Sequence, residues 1–370
     1  ANPVPRFGIA SKKYVEKVGE QAAIDHPIGT GPWKFVEHRV GDYFKYEAVE
    51  GHWRQTPAFK NLIIKAVPED ATRVAMLKAG EVDIIDLPLK LQPEVKQAGL
   101  QIKSVPYVMT NYLHLGGMVL STRNTYDPTV PWFLPKEPDR ALKVRQALAL
   151  AIDRKAIVDK ILLGEGDPGM AVPSFLPSKL WFDSSLKAPG YDPKKAKELL
   201  AEAGYPNGFE LEMRMVDYPG RAEMMSIAQA VAPMWESIGI KVKLRPIDWG
   251  AERPDLMARK TAWTTWSYSI PALSEPALER SAIWSSKAGN NMLAEDPYID
   301  DIFNKASQEF DTAKRYDLSR QLGKYIYDNM LDIPIAYVNA LFGLSKKVGG
   351  WELGVGHSYV INLEYVTSAK

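Results

Sequence analysis

The 370-residue chain has no cysteine and only five histidines: His26, His38, His52, His114 and His357. Without cysteine there are no disulfides, no thiolate nucleophile, no Cys-ligated zinc and no iron–sulfur cluster. No two histidines lie within four residues of each other, so the paired-ligand spacing of helical zinc sites is missing. Charge of one sign is not in excess: 46 Lys+Arg face 45 Asp+Glu, a net +1, with the signs interspersed. A nucleic-acid binder that relied on phosphate contacts would show a basic stripe, and none is visible. Apolar runs such as 147–152 fall far short of the ~20 residues needed to cross a bilayer. The opening Ala1-Asn2-Pro3-Val4-Pro5 has no signal-peptide pattern, as expected of a processed chain or a fragment.

Recognisable catalytic and nucleotide motifs are scarce as well. Neither a phosphate-binding G-x-x-x-x-G-K-S/T loop nor a G-x-S-x-G nucleophile elbow occurs. Residues 164–169 match G-x-G-x-x-G, but these glycines follow a helical pattern instead of opening one, and Pro168 removes an amide that a pyrophosphate would need. A helix stop and a turn are expected there. No cofactor and no metal site are indicated.

What the chain does have is length for two or three domains and a wealth of aromatics, with 10 Trp and 17 Tyr. The periodicities alternate between helix and strand. Asp139 to Ala151 has helical spacing, Asp153 restarts a helix that stops at Gly164, and Asp192-Pro193 caps another that closes at Gly204. Residues 209–215 alternate as a half-buried strand, 221–238 read as a helix ending at Gly239, and 240–244 alternate again. Strand, helix, strand within about forty residues predicts a βαβ unit with parallel strands. Further on, 312–330 read as a helix and 332–338 as a strand. The class is α/β.

The stretch Thr261-Ala262-Trp263-Thr264-Thr265-Trp266-Ser267-Tyr268-Ser269 carries three large aromatics and five Ser/Thr hydroxyls without a charge. That composition suits a wall that stacks on and hydrogen-bonds a small molecule. It suits equally a strand that buries Trp and Tyr in a core. Alternation sets Trp266 and Tyr268 on one face.

Several blocks, in order, resemble the family 5 extracellular solute-binding proteins, the dipeptide, oligopeptide and nickel-type receptors of bacterial ABC importers. His26-Pro27-Ile28-Gly29-Thr30-Gly31-Pro32-Trp33 resembles the family's P-x-G-T-G-P-[YW] signature. Val67-Pro68-Glu69-Asp70-Ala71-Thr72-Arg73 followed by Gly80-Glu81-Val82-Asp83 resembles its "PDASTR…GEVD" block. Val144-Arg145-Gln146-Ala147-Leu148 with Ala151-Ile152-Asp153-Arg154 resembles "VRQAL..AIDR", and Tyr191-Asp192-Pro193 with Ala203-Gly204 resembles "YDP…AG". The likeness runs over about 25–350. Arg73 and Asp83 are expected to anchor a helix to its neighbouring strand, outside any ligand site.

The resemblance implies a periplasmic-binding-protein-like (type II) α/β fold, with two lobes that close on a solute by a hinge. Residues 1–112 would be the remainder of lobe one, 113–336 lobe two, and 337–370 a return to lobe one, with part of lobe one, the family's N-terminal segment, lacking and binding by this chain correspondingly weak. It implies a monomeric, non-enzymatic receptor in the periplasm, or anchored outside a Gram-positive cell. Such a receptor hands a small or short-peptide-like solute to an ABC permease. A hydrolase or transferase, or a sensory module of the same fold, are the competing functions.

Ligands favour the C-terminal ends of strands in open parallel sheets. The lobe-two wall is therefore assigned to Trp266, Tyr268 and Ser269, with Trp249, Tyr218, Arg221 and Asn290 in support. In the peptide-binding members, a W-x-x-D aspartate meets the ligand's α-ammonium. Aligned on Trp266, that position here is Ser269, which cannot neutralise a charge, and Glu275 is the nearest carboxylate that would take over. A neutral, aromatic, blocked or anionic solute, the last received by Arg221, is thus expected ahead of free-amine peptides.

Overall fold

A computed structural model describes residues 10–369 apart from 178, 219–220, 272–274, 290–292, 352 and 354–361. The chain forms two compact units, Ala1–Ser104 with Leu341–Lys370 and Val105–Ala340.

In the first unit, α1 (Lys12–Val18) and α2 (Glu20–Asp25) precede an antiparallel sheet of β1 (Trp33–Arg39), β2 (Tyr43–Ala48) and β3 (Asn61–Lys65). Next come α3 (Asp70–Ala79), β4 (Ile84–Asp86) and α4 (Gln92–Gln97). Gly80 ends α3 at φ +74°, the left-handed conformation that a glycine reaches without Cβ strain. Val74, Leu77, Ile85, Leu87, Val95 and Leu341 form this unit's core. Arg73 donates to the Val67 and Pro68 carbonyls and pairs with Asp70 at 2.6 Å, while Asp83 accepts the Ser345 hydroxyl at 2.9 Å. The family block around them is structural.

The strand β5 (Gln101–Leu115) leads into the second unit, and β10 (Asp332–Leu344) leads back. Between them lie α5 (Pro138–Leu150), α6 (Arg154–Lys160), β6 (Gly166–Asp167), α7 (Pro193–Glu202), β7 (Glu210–Asp217), α8 (Ala222–Glu236), β8 (Lys241–Asp248) and α9 (Trp249–Met257). They are followed by β9 (Thr264–Pro271), α10 (Pro276–Glu279), α11 (Ser281–Trp284), α12 (Pro297–Gln308) and α13 (Thr312–Asp328). The side chain of Asp153 accepts from Ala156 N, and that of Asp192 accepts from Lys195 N, as their N-cap positions require.

The sheet of this unit runs β10-β5-β9-β7-β8. The expected βαβ unit is present: β7 and β8 are parallel from Glu210↔Lys241 to Asp217↔Asp248, with α8 packed on them. The strand β9 is also parallel to β7 but antiparallel to β5. Two expectations change. The strand predicted over 332–338 runs on to Leu344, because its residues are buried on both faces and no polar alternation marks an end. Where a turn was expected at 164–169, Gly166 and Asp167 form the short strand β6 against Val338 and Tyr337 of β10. Glycine is needed there, since a Cβ on Gly166 would stand 2.6 Å from the Tyr337 carbonyl oxygen.

Candidate ligand-binding site

Because β8, β7 and β9 are parallel, their C-terminal ends lie along one edge of the sheet of the second unit. Each end contributes an aromatic side chain. Tyr218 follows β7, Trp249 opens α9 directly after β8, and Tyr268 lies near the end of β9. The Asp248 side chain caps α9 by accepting from Ala251 N at 3.0 Å, and so sets where Trp249 leaves the sheet. Ring centres are 5.3 Å apart for Tyr218–Trp249, 6.1 Å for Trp249–Tyr268 and 6.0 Å for Tyr268–Tyr112, a continuous aromatic run.

Arg221, the residue before α8, tilts back over this run. Its guanidinium carbon is 5.2 Å from the Tyr218 ring centre, and Nη1 donates to the Ser269 carbonyl. Glu223, half-buried in the first turn of α8, lies in the field of Arg221. Burial raises its pKa, and Arg221 and the Ser269 hydroxyl oppose the rise. Tyr268 is pushed up to about 12 by burial, with Arg221 and Arg280 pulling the other way. Its hydroxyl therefore stays protonated at neutral pH as a donor.

Five of the expected wall residues thus come together: Tyr218, Arg221, Trp249, Tyr268 and Ser269. Ser269 is 1% exposed, so its carbonyl, held by Arg221, shapes the site more than its hydroxyl does. Trp266 does not join them. It is 1% exposed and packs against His114 with ring centres 4.6 Å apart. Alternation along β9 rightly puts it on the face of Tyr268, but two residues deeper into a strand covered on both sides. Glu275 is committed elsewhere, pairing with Arg315 Nε at 2.7 Å. Asn290 lies outside the described residues.

Sequence reasoning missed Glu223, Tyr112 and Arg280. Tyr112 was visible as an aromatic in a strand, directly opposite Tyr268 in the ladder. Nothing in the pattern singled out Glu223 or Arg280. Among the described residues no group of three or more His, Asp or Glu side chains could hold a metal, and no helix is long and apolar enough to cross a membrane.

The family model described as bacterial extracellular solute-binding proteins, family 5, matches residues 2–290. Heme-binding protein A of Haemophilus influenzae is 28% identical over 366 residues, covering 93% of this chain and 61% of that protein. The dipeptide-binding protein of Escherichia coli is 25% identical over 370 residues, covering 96% of this chain and 66% of its own length. The chain thus spans somewhat less than two thirds of both. The solved structure of HbpA2 from Haemophilus parasuis is similar with a TM-score of 0.73 and 28% identity, over 95% of this chain and 67% of that one. The likeness shows the type II periplasmic-binding-protein fold.

Proposed function

Since the chain belongs to the bacterial extracellular solute-binding proteins of family 5, we propose that it is the solute-binding part of an ABC importer. In this reading the two units are the family's two lobes. A small solute stacks on Tyr218, Trp249 and Tyr268 of the second unit, and the loaded protein, a periplasmic monomer, delivers it to a permease. Binding stabilises the ligand-bound conformation through differential contacts and needs no chemical step. The observation that carries the reading is the convergence of three aromatics and Arg221 at the ends of three parallel strands, where open α/β sheets take ligands.

Native mass spectrometry of the full-length protein purified from its host tests it. A retained small molecule, released on unfolding and recovered unchanged, is the expected result, together with co-purification of a permease. Turnover of that molecule by the purified protein would overturn the reading in favour of an enzyme.

A further inference from the structure

Arg280, between α10 and α11, is 5% exposed. Its Nε donates to Ser174 Oγ at 3.0 Å, its Nη2 donates to the Pro271 carbonyl, and its guanidinium carbon is 5.7 Å from the Trp284 ring centre. Burial pulls its pKa down to about 10, so it remains charged at neutral pH. Of the other buried arginines of this unit, Arg214 and Arg259 are ion-paired, while Arg145 and Arg154 donate to backbone carbonyls alone. Arg214 meets Glu252 at 3.0 Å, Arg259 meets Glu295 at 2.8 Å, and Arg154 donates to four backbone carbonyls. Arg280 has one hydroxyl, one carbonyl and, among the described residues, no ion pair. The exposed Glu279 acts on it through its field.

Two more groups beside it are under-used. The Tyr112 hydroxyl and the Trp284 indole N–H, on residues 0% exposed, face each other and have no other hydrogen-bond partner among the described residues. Tyr268, the half-buried continuation of this cluster, feels both Arg280 and Arg221. Two guanidinium groups and a set of donors therefore surround the inner end of the aromatic run, where the acidic groups are the half-buried Glu223, the exposed Glu279 and, beside Tyr112, Asp332, whose pKa burial raises. A buried cation without a counter-ion is costly, and an arriving anion would remove that cost.

We propose that Arg280, with Arg221, receives a carboxylate group of the bound solute at the Tyr268 end of the aromatic run. The planar guanidinium fork matches a carboxylate's two oxygens, and Tyr268 and Trp284 add neutral donors. The inference rests on the solute-binding reading and names its substrate class, an organic acid or a ligand ending in one.

The test is a thermal-shift and calorimetric panel on the full-length protein. N-acetyl-dialanine, glutarate, benzoate and gluconate are each compared with the corresponding carboxamide, with glycerol phosphate as the phosphate arm and glucose as a neutral arm. At least one acid should raise Tm by several degrees, with its amide inert. Arg280→Gln should weaken that acid's binding tenfold or more while the ligand-free Tm stays level or rises, because an unpaired buried charge has gone. A residue that merely held the fold would lower the ligand-free Tm and leave affinity alone. Should Arg280→Gln fail to fold, Tyr268→Phe removes one neutral donor at a half-buried position with the ring kept, and should weaken the same acid several-fold. The proposal is overturned by no shift with any acid, by equal shifts for acid and amide, by a shift with glycerol phosphate alone, or by unchanged affinity in the variant. A shift with glucose alone would keep the solute-binding reading and overturn this one.

Discussion

His114 Nδ1 and Asp332 Oδ1 meet at 2.9 Å, with side chains 5% and 0% exposed, beneath the Trp266 ring. Burial pushes the imidazole down to about 3 and holds the carboxyl well above its usual range. Both shifts favour the uncharged form of each group, a neutral imidazole against a carboxylic acid. In the unfolded chain Asp titrates near about 3.9 and His near about 6.5. Between those values both states bind one proton and the pair has no pH effect. Above about 6.5 the unfolded chain binds none, so for as long as the raised carboxyl keeps its proton folding takes one up, and stability falls by up to about 1.4 kcal/mol per pH unit. Below about 3.9 the unfolded chain binds two, and stability falls again. Asp332→Asn keeps a neutral partner for His114 and should remove the alkaline slope. Urea midpoints from pH 6 to 9 check this, and equal slopes for both proteins would refute it.

Trp266 and Trp249 should separate cleanly on mutation. Trp266→Ala empties a core site and should cost about 3–5 kcal/mol of stability. Trp249→Ala, at a half-exposed position, should leave the urea midpoint almost unchanged. It should weaken binding of the retained solute by about 1–3 kcal/mol if the indole stacks on it. Chemical denaturation and calorimetric titration of both variants measure the two quantities. The reverse pattern would put the binding wall elsewhere.

Why the βαβ unit was legible and the burial of Trp266 was not comes down to what periodicity encodes. The alternation in 209–215 and 240–244 and the punctuation at Gly204 and Gly239 are local, so strands and helix could be read directly. Alternation in β9 tells which residues share a face, and Trp266 and Tyr268 do. Depth along that face depends on β5 and β7 flanking the strand, a pairing made with residues about 50 and 155 positions away that no local pattern announces. Arg280 was invisible for the same reason. Its partners Ser174 and Pro271 come from separate parts of the chain.

The motif arginines are a second instance of sequence signal that is structural. Arg145 donates to the Asn329 and Trp132 carbonyls, and Arg154 to those of Pro334, Ala149, Ile152 and Pro189. The Ala149 carbonyl closes α5 and that of Pro334 lies in β10, and those of Ala149 and Ile152 also accept from Ile152 N and Arg154 N. Arg154→Met should lower stability by several kcal/mol, at about 1–3 for each buried carbonyl left unmet. Arg154→Lys should rescue little, because one ammonium cannot span the same fan of acceptors. Solute affinity of the folded fraction should be unchanged. An affinity loss at unchanged urea midpoint would instead assign the motif to binding.

Glu295 offers the sharpest acid-side test. Its carboxylate, 0% exposed, accepts from Arg123 Nε and Nη2 at 3.0 and 2.8 Å, from Arg259 Nε at 2.8 Å and from Leu120 N at 3.1 Å. Burial alone would raise its pKa, but the hydrogen bonds from Arg123 and Arg259 outweigh it and the net shift is downward. A carboxylate with a depressed folded pKa contributes stability above its unfolded value of about 4.3, and loses it as pH falls through the folded value. Arg259, held at φ +58°, also donates to the Gly289 and Ala288 carbonyls, and both arginines reach that of Ser286. The cluster thereby ties residues 286–289 to α9 and to the loop after β5. Glu295→Gln leaves two guanidinium groups without a counter-charge and should cost about 3–5 kcal/mol at neutral pH. The deficit relative to the parent should begin to shrink as pH falls below the unfolded value of about 4.3, and go on shrinking until the parent's carboxylate protonates in the folded state. Hydrogen exchange should quicken at 286–289 before it does in β7 or β9. A deficit of the same size at pH 3.5 and pH 7 would mean that the cluster stabilises by packing and not by charge.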